Sequence, residues 1–186
     1  MISIIFALAF NALATQPLHI TTLTHAPGSC HYRFAANGME LPDPTCTPGA
    51  INPTLTAKVL LDPSFRTGMV RDRITSEQQK RSVYGWYGVV EPKNNTGATQ
   101  MCELDHLVDL ASGGADSLDN IWPECQPRLL NMMTKTYSPV SLIGEREFKI
   151  KDRFAEHNVV NLIKQGPGDL TKLQHEIAED WTQFIK

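Results

Sequence analysis

The chain predicts an α+β fold, and three observations carry that expectation. Residues 101–110 alternate in character with the period of a strand, the last third repeats apolar residues with the period of a helix, and an early proline-rich stretch lies between and around two cysteines. At 186 residues, 41% of them hydrophobic, the chain can bury the core of one ordinary domain and is short for two. The expected organisation is a leader at 1–14 followed by one domain at 15–186, divided into an irregular arm at 15–57 and a core at 58–186.

Ile2 to Ala14 is apolar apart from Ser3 and Asn11, and it closes on Ala12-Leu13-Ala14, the small-residue pattern that precedes a signal-peptidase cut. The run is too short to span a bilayer as a helix, and it lacks the preceding Lys or Arg of most secretory leaders. Cys30, Cys46, Cys102 and Cys125 are even in number and contain no CxxC pair, so zinc-ribbon spacing is absent. Of the three possible pairings, Cys30 with Cys46 and Cys102 with Cys125 is the most local. A bridge of the second kind would stabilise by about 3 kcal/mol on chain-entropy grounds. Leader and cysteines together predict a secreted or periplasmic protein, with no membrane attachment once the leader is cut.

In the arm, Leu41 to Pro53 reads LPDPTCTPGAINP, and repeated proline there disfavours helices and central strands. Ser76 to Gly88 predicts a short helix leading into a turn. Asn94-Asn95-Thr96-Gly97 predicts a turn, with Asn94 in a glycosylation sequon. Cys102, Leu104 and His106 alternate with Glu103, Asp105 and Leu107, which predicts a strand. A loop follows, in which Gly113-Gly114 opens backbone conformations closed to other residues. Asn120-Ile121-Trp122 then starts the return strand of a hairpin, ended by Pro123. Gln126 to Ile143 is ambiguous. Phe148, Ala155, Val159 and Leu162 predict a helix that stops at Gly166-Pro167-Gly168. Asp169 suits the cap of a last helix whose stripe is Leu170, Leu173, Ile177, Trp181 and Phe184.

The formal net charge is −3, which argues against coating nucleic acid through a global positive field. Basic residues nevertheless cluster at Arg66, Arg71, Arg73, Lys80 and Arg81, and again at Arg146, Lys149, Lys151 and Arg153. Either group can line a phosphate groove or simply form a solvated face. The chemistry concentrates between Cys102 and Cys125. Hydrolysing a phosphodiester needs a cation for the charge on phosphate and leaving oxygen, and a base to activate water. Asp105 and His106 offer one side chain for each task.

These residues carry a family resemblance. ELDHLVDL at Glu103 to Leu110, Gly113-Gly114 and Asn120-Ile121-Trp122-Pro123 resemble the HNH endonucleases of the ββα-metal (His-Me finger) superfamily. A wider likeness, to small secreted proteins with LPDPxCTPGA and DHL...GG...NLWP motifs, takes in Lys151-Asp152 and Ile177 to Trp181. The resemblance implies a ββα-metal hairpin packed on C-terminal helices, with His106 as general base and Asp105 as first metal ligand. It makes Asn120 the residue that ties the loop back and orients the base. The completing ligand departs from the family pattern: Asn131 is preferred, Glu147 follows, and His157 is more remote. Glu103 shares a face with Asp105 and reads either as a carboxylate behind the ligands or as a solvent-facing partner for Lys.

Ideal alternation sends Asp105 and His106 to opposite faces, so both reach one phosphate only where the strand end twists or bulges. The implied cofactor is one divalent cation, Mg²⁺ or Mn²⁺ first and Zn²⁺ second. The implied partner is nucleic acid, DNA before RNA, cut with weak sequence preference to leave a 5′-phosphate. The competing expectations are a catalytically inactive, disulfide-stabilised binding module on the same fold, or a toxin or effector nuclease held off by an immunity protein.

Overall fold

The computed structural model describes residues 24–72, 77–97, 100–125, 147–166 and 168–185. The leader, Arg73, Asn131 and Arg146 lie outside the described residues, and of Glu147 only the backbone is described. The described architecture mixes helices with two small antiparallel hairpins, so the α+β class holds.

The arm folds around its own bridge. Cys30 and Cys46 are joined, with Cα atoms 6.0 Å apart, and between them β1 (Arg33–Phe34) pairs with β2 (Glu40–Leu41). The proline-rich stretch then runs along the rest of the protein. Gly49 N–H donates to the Asp119 carbonyl at 3.1 Å, Asn52 N–H to Gly113 at 2.9 Å, and Ala115 N–H returns a bond to Ala50 at 2.9 Å. Gly49 has φ +78°, and a Cβ there would lie 2.6 Å from the Ala178 side chain, so glycine is needed for the close approach. After α1 (Ala57–Leu60), capped by Thr56, comes α2 (Glu77–Trp86), which buries Val83, Tyr84 and Trp86.

The second hairpin joins β3 (Cys102–His106) to β4 (Ile121–Cys125). The Cys102–Cys125 bridge closes its far end, with Cα atoms 3.9 Å apart. Asn95 holds the start of β3, accepting at Oδ1 from Met101 N–H at 2.6 Å and Cys102 N–H at 3.1 Å. β4 continues through Pro123 to Cys125, a correction to the expectation that proline ends it. The reason is register. Leu107 N–H bonds the Asn120 carbonyl at 2.8 Å, and antiparallel alternation makes Leu104↔Pro123 a pair that exchanges no hydrogen bond. The donor that proline lacks is therefore not needed by β3.

The C-terminal part runs through α3 (Glu147–Ile150), a π-helical stretch (Lys151–Glu156), α4 (His157–Gln165) and α5 (Leu170–Asp180), ending in a 3₁₀ turn (Trp181–Phe184). Ala155, Val159 and Ile163, spaced four apart, form the buried face here. Leu162, expected on that stripe, is 38% exposed, and Ile163 takes its place. The stripe of α5 lies inward as read: Leu173, Ile177, Trp181 and Phe184 are buried, and Asp169 accepts from Lys172 N–H at 3.1 Å as the cap. One apolar cluster draws on the arm, α2, the hairpin and these helices, so all four brace the loop between β3 and β4.

Candidate functional site

The loop from Leu107 to Asn120 is shaped by one buried amide. Asn120 is fully buried; its Oδ1 accepts from Val108 N–H at 2.9 Å, and its Nδ2 donates to the carbonyls of Val108 and Ala115, each at 2.8 Å. Both donors of that amide and its carbonyl oxygen bond the loop, and it makes no hydrogen bond to Asp105 or His106. Gly114 makes the turn possible, since a Cβ there would fall 1.8 Å from the Val108 carbonyl oxygen. Gln174 of α5 supports the loop from behind, donating to the Ser112 carbonyl at 2.9 Å.

Asp105 and His106 do leave β3 toward different supports, yet both line one cleft of about 270 Å³. β3 has a paired strand on one edge only among the described residues. On one side, Lys151 of the π-helical stretch reaches in. Its Nζ donates to Asp105 Oδ2 at 2.5 Å, to the His106 carbonyl at 2.8 Å and to Glu156 Oε1 at 3.0 Å, using all three ammonium donors. Burial opposes the charge on Lys151, but Asp105, Glu156 and Glu124 outweigh it and hold the ammonium protonated well above the usual lysine range.

On the other side, His106 Nε2 lies 2.8 Å from Asp116 Oδ1. Asp116 Oδ2 also accepts from Asp72 N–H at 2.8 Å, and Lys80 of α2 places its ammonium 3.2 Å from Oδ1 and 3.3 Å from Oδ2. Burial raises the Asp116 carboxyl, but the His106 bond and charge together with Lys80 prevail and bring it down to about 2.

The helix contributes carboxylates to the same cleft. Oxygens of Asp105, Asp152 and Glu156 lie within 4.8 Å of one another, an all-oxygen set of the kind that suits a hard divalent cation. Lys151 engages one oxygen each of Asp105 and Glu156, and Lys149 engages Asp152 at 2.9 Å; each carboxylate has a second oxygen to offer. Burial, with Asp105 and Asp109 nearby, lifts Glu156 to about 7 against the pull of Lys151. Glu103 lines the cleft too, 3.6 Å from Lys149, and its carboxyl is raised by burial and by Asp152. Exposed Arg71 and half-buried Thr67 line the same cleft as these acids.

Of the residues read from sequence, Asp105, His106 and Glu103 meet in the cleft, while Asn120 sits behind it. Exposed His157 is neither in its lining nor in the carboxylate group. Asp152 and Glu156, spaced i and i+4 beside Lys151, were missed as ligand candidates although their spacing is a sequence signal. Asp116 left none beyond an acid after the diglycine. The other His/Cys group, His25 with Cys30 and Cys46, is no metal site because both sulfurs are in a disulfide. No helix among the described residues is long and apolar enough to cross a membrane. The chain is matched by no family model, no curated protein and no solved structure.

Proposed function

We propose that this protein is a secreted or periplasmic, metal-dependent nuclease of the HNH type, cutting DNA in preference to RNA with weak sequence selectivity. The observation that carries the reading is the convergence of His106 and the Asp105, Asp152 and Glu156 carboxylates on one small cleft. Asp109 and Glu103 add to the acidity of that cleft, so a phosphodiester entering it meets net repulsion unless a cation is present. A bound Mg²⁺ or Mn²⁺ would supply positive charge for the phosphate oxygens and the leaving oxygen. Asp105 would hold it, with Asp152 and Glu156 as partners from the helix.

The chain's own residues supply the rest. His106 takes the proton from the attacking water, and Arg71 binds a phosphate oxygen at the cleft rim. Asn120 keeps the loop in the shape that positions both. The two disulfides support a place in an oxidising compartment, and weak sequence selectivity would follow from recognition through the phosphate backbone.

The test is incubation of the oxidised protein with supercoiled plasmid and with RNA in Mg²⁺, Mn²⁺, Zn²⁺ or EDTA, beside His106→Ala. Metal-dependent nicking that leaves 5′-phosphate ends, and that the substitution abolishes, is expected. Intact substrate under every metal would end the nuclease reading.

A further inference from the structure

We infer that Asp116 is the positioning residue for His106, fixing the imidazole with its proton on Nε2 and its lone pair on Nδ1 facing the cleft. This rests on the nuclease reading for its purpose, but its geometry stands apart from it.

Three features carry the inference. First, the Asp116 side chain is 1% exposed, and its Oδ1 lies 2.8 Å from His106 Nε2. A buried carboxylate that close accepts, so the facing ring nitrogen is the one bearing hydrogen. Nδ1 makes no hydrogen bond among the described residues, and His106 lines the cleft. Second, Asp116 is itself immobilised. Asp72 N–H and Lys80 Nζ occupy the remaining acceptor positions at 2.8 to 3.3 Å, so the carboxylate cannot swing away without breaking both contacts. Third, Asn120 Nδ2 holds the carbonyl of Ala115, the residue immediately before Asp116, at 2.8 Å. The loop brace therefore acts on the base through Asp116, which explains how a buried amide without contact to the imidazole can orient it.

In the reaction, water passes its proton to Nδ1 while Nε2–H stays on Asp116, which stabilises the imidazolium formed. The water oxygen forms its bond to phosphorus as the bond to the sugar oxygen breaks. The departing oxygen keeps that electron pair and is protonated from solvent. Lys80 shares the Asp116 charge and helps keep the carboxylate ionised, so that it accepts rather than donates.

The experiment reads the tautomer directly. Two-bond ¹H–¹⁵N correlation of ¹⁵N-histidine-labelled protein, in EDTA at a pH where the imidazole is neutral, is expected to show His106 protonated at Nε2, assigned by its loss in His106→Ala. Asp116→Ala should make the signal average between tautomers, and should lower kcat for plasmid nicking about 10- to 100-fold with Mn²⁺ affinity, read by electron paramagnetic resonance, unchanged. Asp116→Asn keeps the shape and can still accept, so it should retain the tautomer and recover part of kcat. A wild-type His106 protonated at Nδ1 overturns the inference without any variant, whether or not the protein folds once Asp116 is replaced. So does an Asp116→Ala protein that nicks at the wild-type rate. Wild-type protein that cuts nothing yet shows the Nε2–H form would remove the nuclease reading and leave the pairing standing.

Discussion

Asp105 and His106 are neighbours on one strand, yet their side chains rest on different supports: Lys151 pairs with Asp105 directly, and Lys80 stands behind the Asp116 that meets His106. Behind His106, Lys80 meets principally one carboxylate, Asp116, which also accepts from the imidazole and a backbone N–H. Behind Asp105, Lys151 meets Asp105 and Glu156 together and still leaves the cleft acidic. The two sides are built alike but balanced differently. A charge-matched side suits an imidazole that must accept a proton and give it up, whereas an acid-rich side suits a site that takes in a further cation. Strand alternation starts the two side chains on opposite faces, so each meets its own supporting carboxylate or ammonium.

The largest expected effect is on the His106 side. His106→Ala should lower the nicking rate by roughly 10²- to 10⁴-fold, the usual share of a positioned base, with little change in Mn²⁺ affinity; a variant that keeps its rate would break the assignment of roles. On the Asp105 side, Lys151→Met leaves buried Asp105 and half-buried Glu156 without their cation, and urea denaturation in EDTA should show a loss of about 3 kcal/mol. Added Mg²⁺ should restore part of that loss, which Lys80→Met should not allow.

The pH dependence of stability separates the two sides by sign. Asp116 is lowered to about 2 in the folded protein, so its contribution is complete above its ordinary unfolded value near 3.8 and is lost as pH falls through about 2. Glu156 is raised to about 7, so in metal-free protein its contribution runs the other way: present below about 4.5 and lost as pH climbs through about 7. Denaturant midpoints across pH, with Asp116→Asn and Glu156→Gln, should flatten the acid and the neutral limb respectively. If both substitutions flatten the same limb, the two-sided description fails. The smallest effect expected is at Arg71. Arg71→Ala should raise KM a few-fold, leave kcat nearly unchanged and reduce the salt slope of DNA binding by about 1.

What could be read from the sequence was what lies close along the chain. The hairpin around Asp105 and His106, the local pairing of the cysteines, the Asp169 cap and the α5 stripe all depend on residues a few positions apart or on one strand-turn unit. The Asp116 to Lys80 pair spans 36 residues and the Lys151 to Asp105 pair 46, and no periodicity encodes either. Leu162 and Ile163 stand three and four residues after Val159, both at helical spacing, so periodicity alone does not choose between them and the packing of the helix turns Ile163 inward. Pro123 misled for a related reason, since its effect on a strand depends on which edge its nitrogen faces. The strand register decides that, and composition alone does not.

The Cys102–Cys125 bridge fixes the point from which the chain departs after β4. Asp105 and His106 are thereby insulated from the length of whatever joins Cys125 to Glu147. A covalent stop of this kind is expected to keep insertions or deletions between Cys125 and Glu147 from pulling on β3, provided Lys151 still arrives at its open edge. For protein engineering it marks a place to graft a binding loop or a tag.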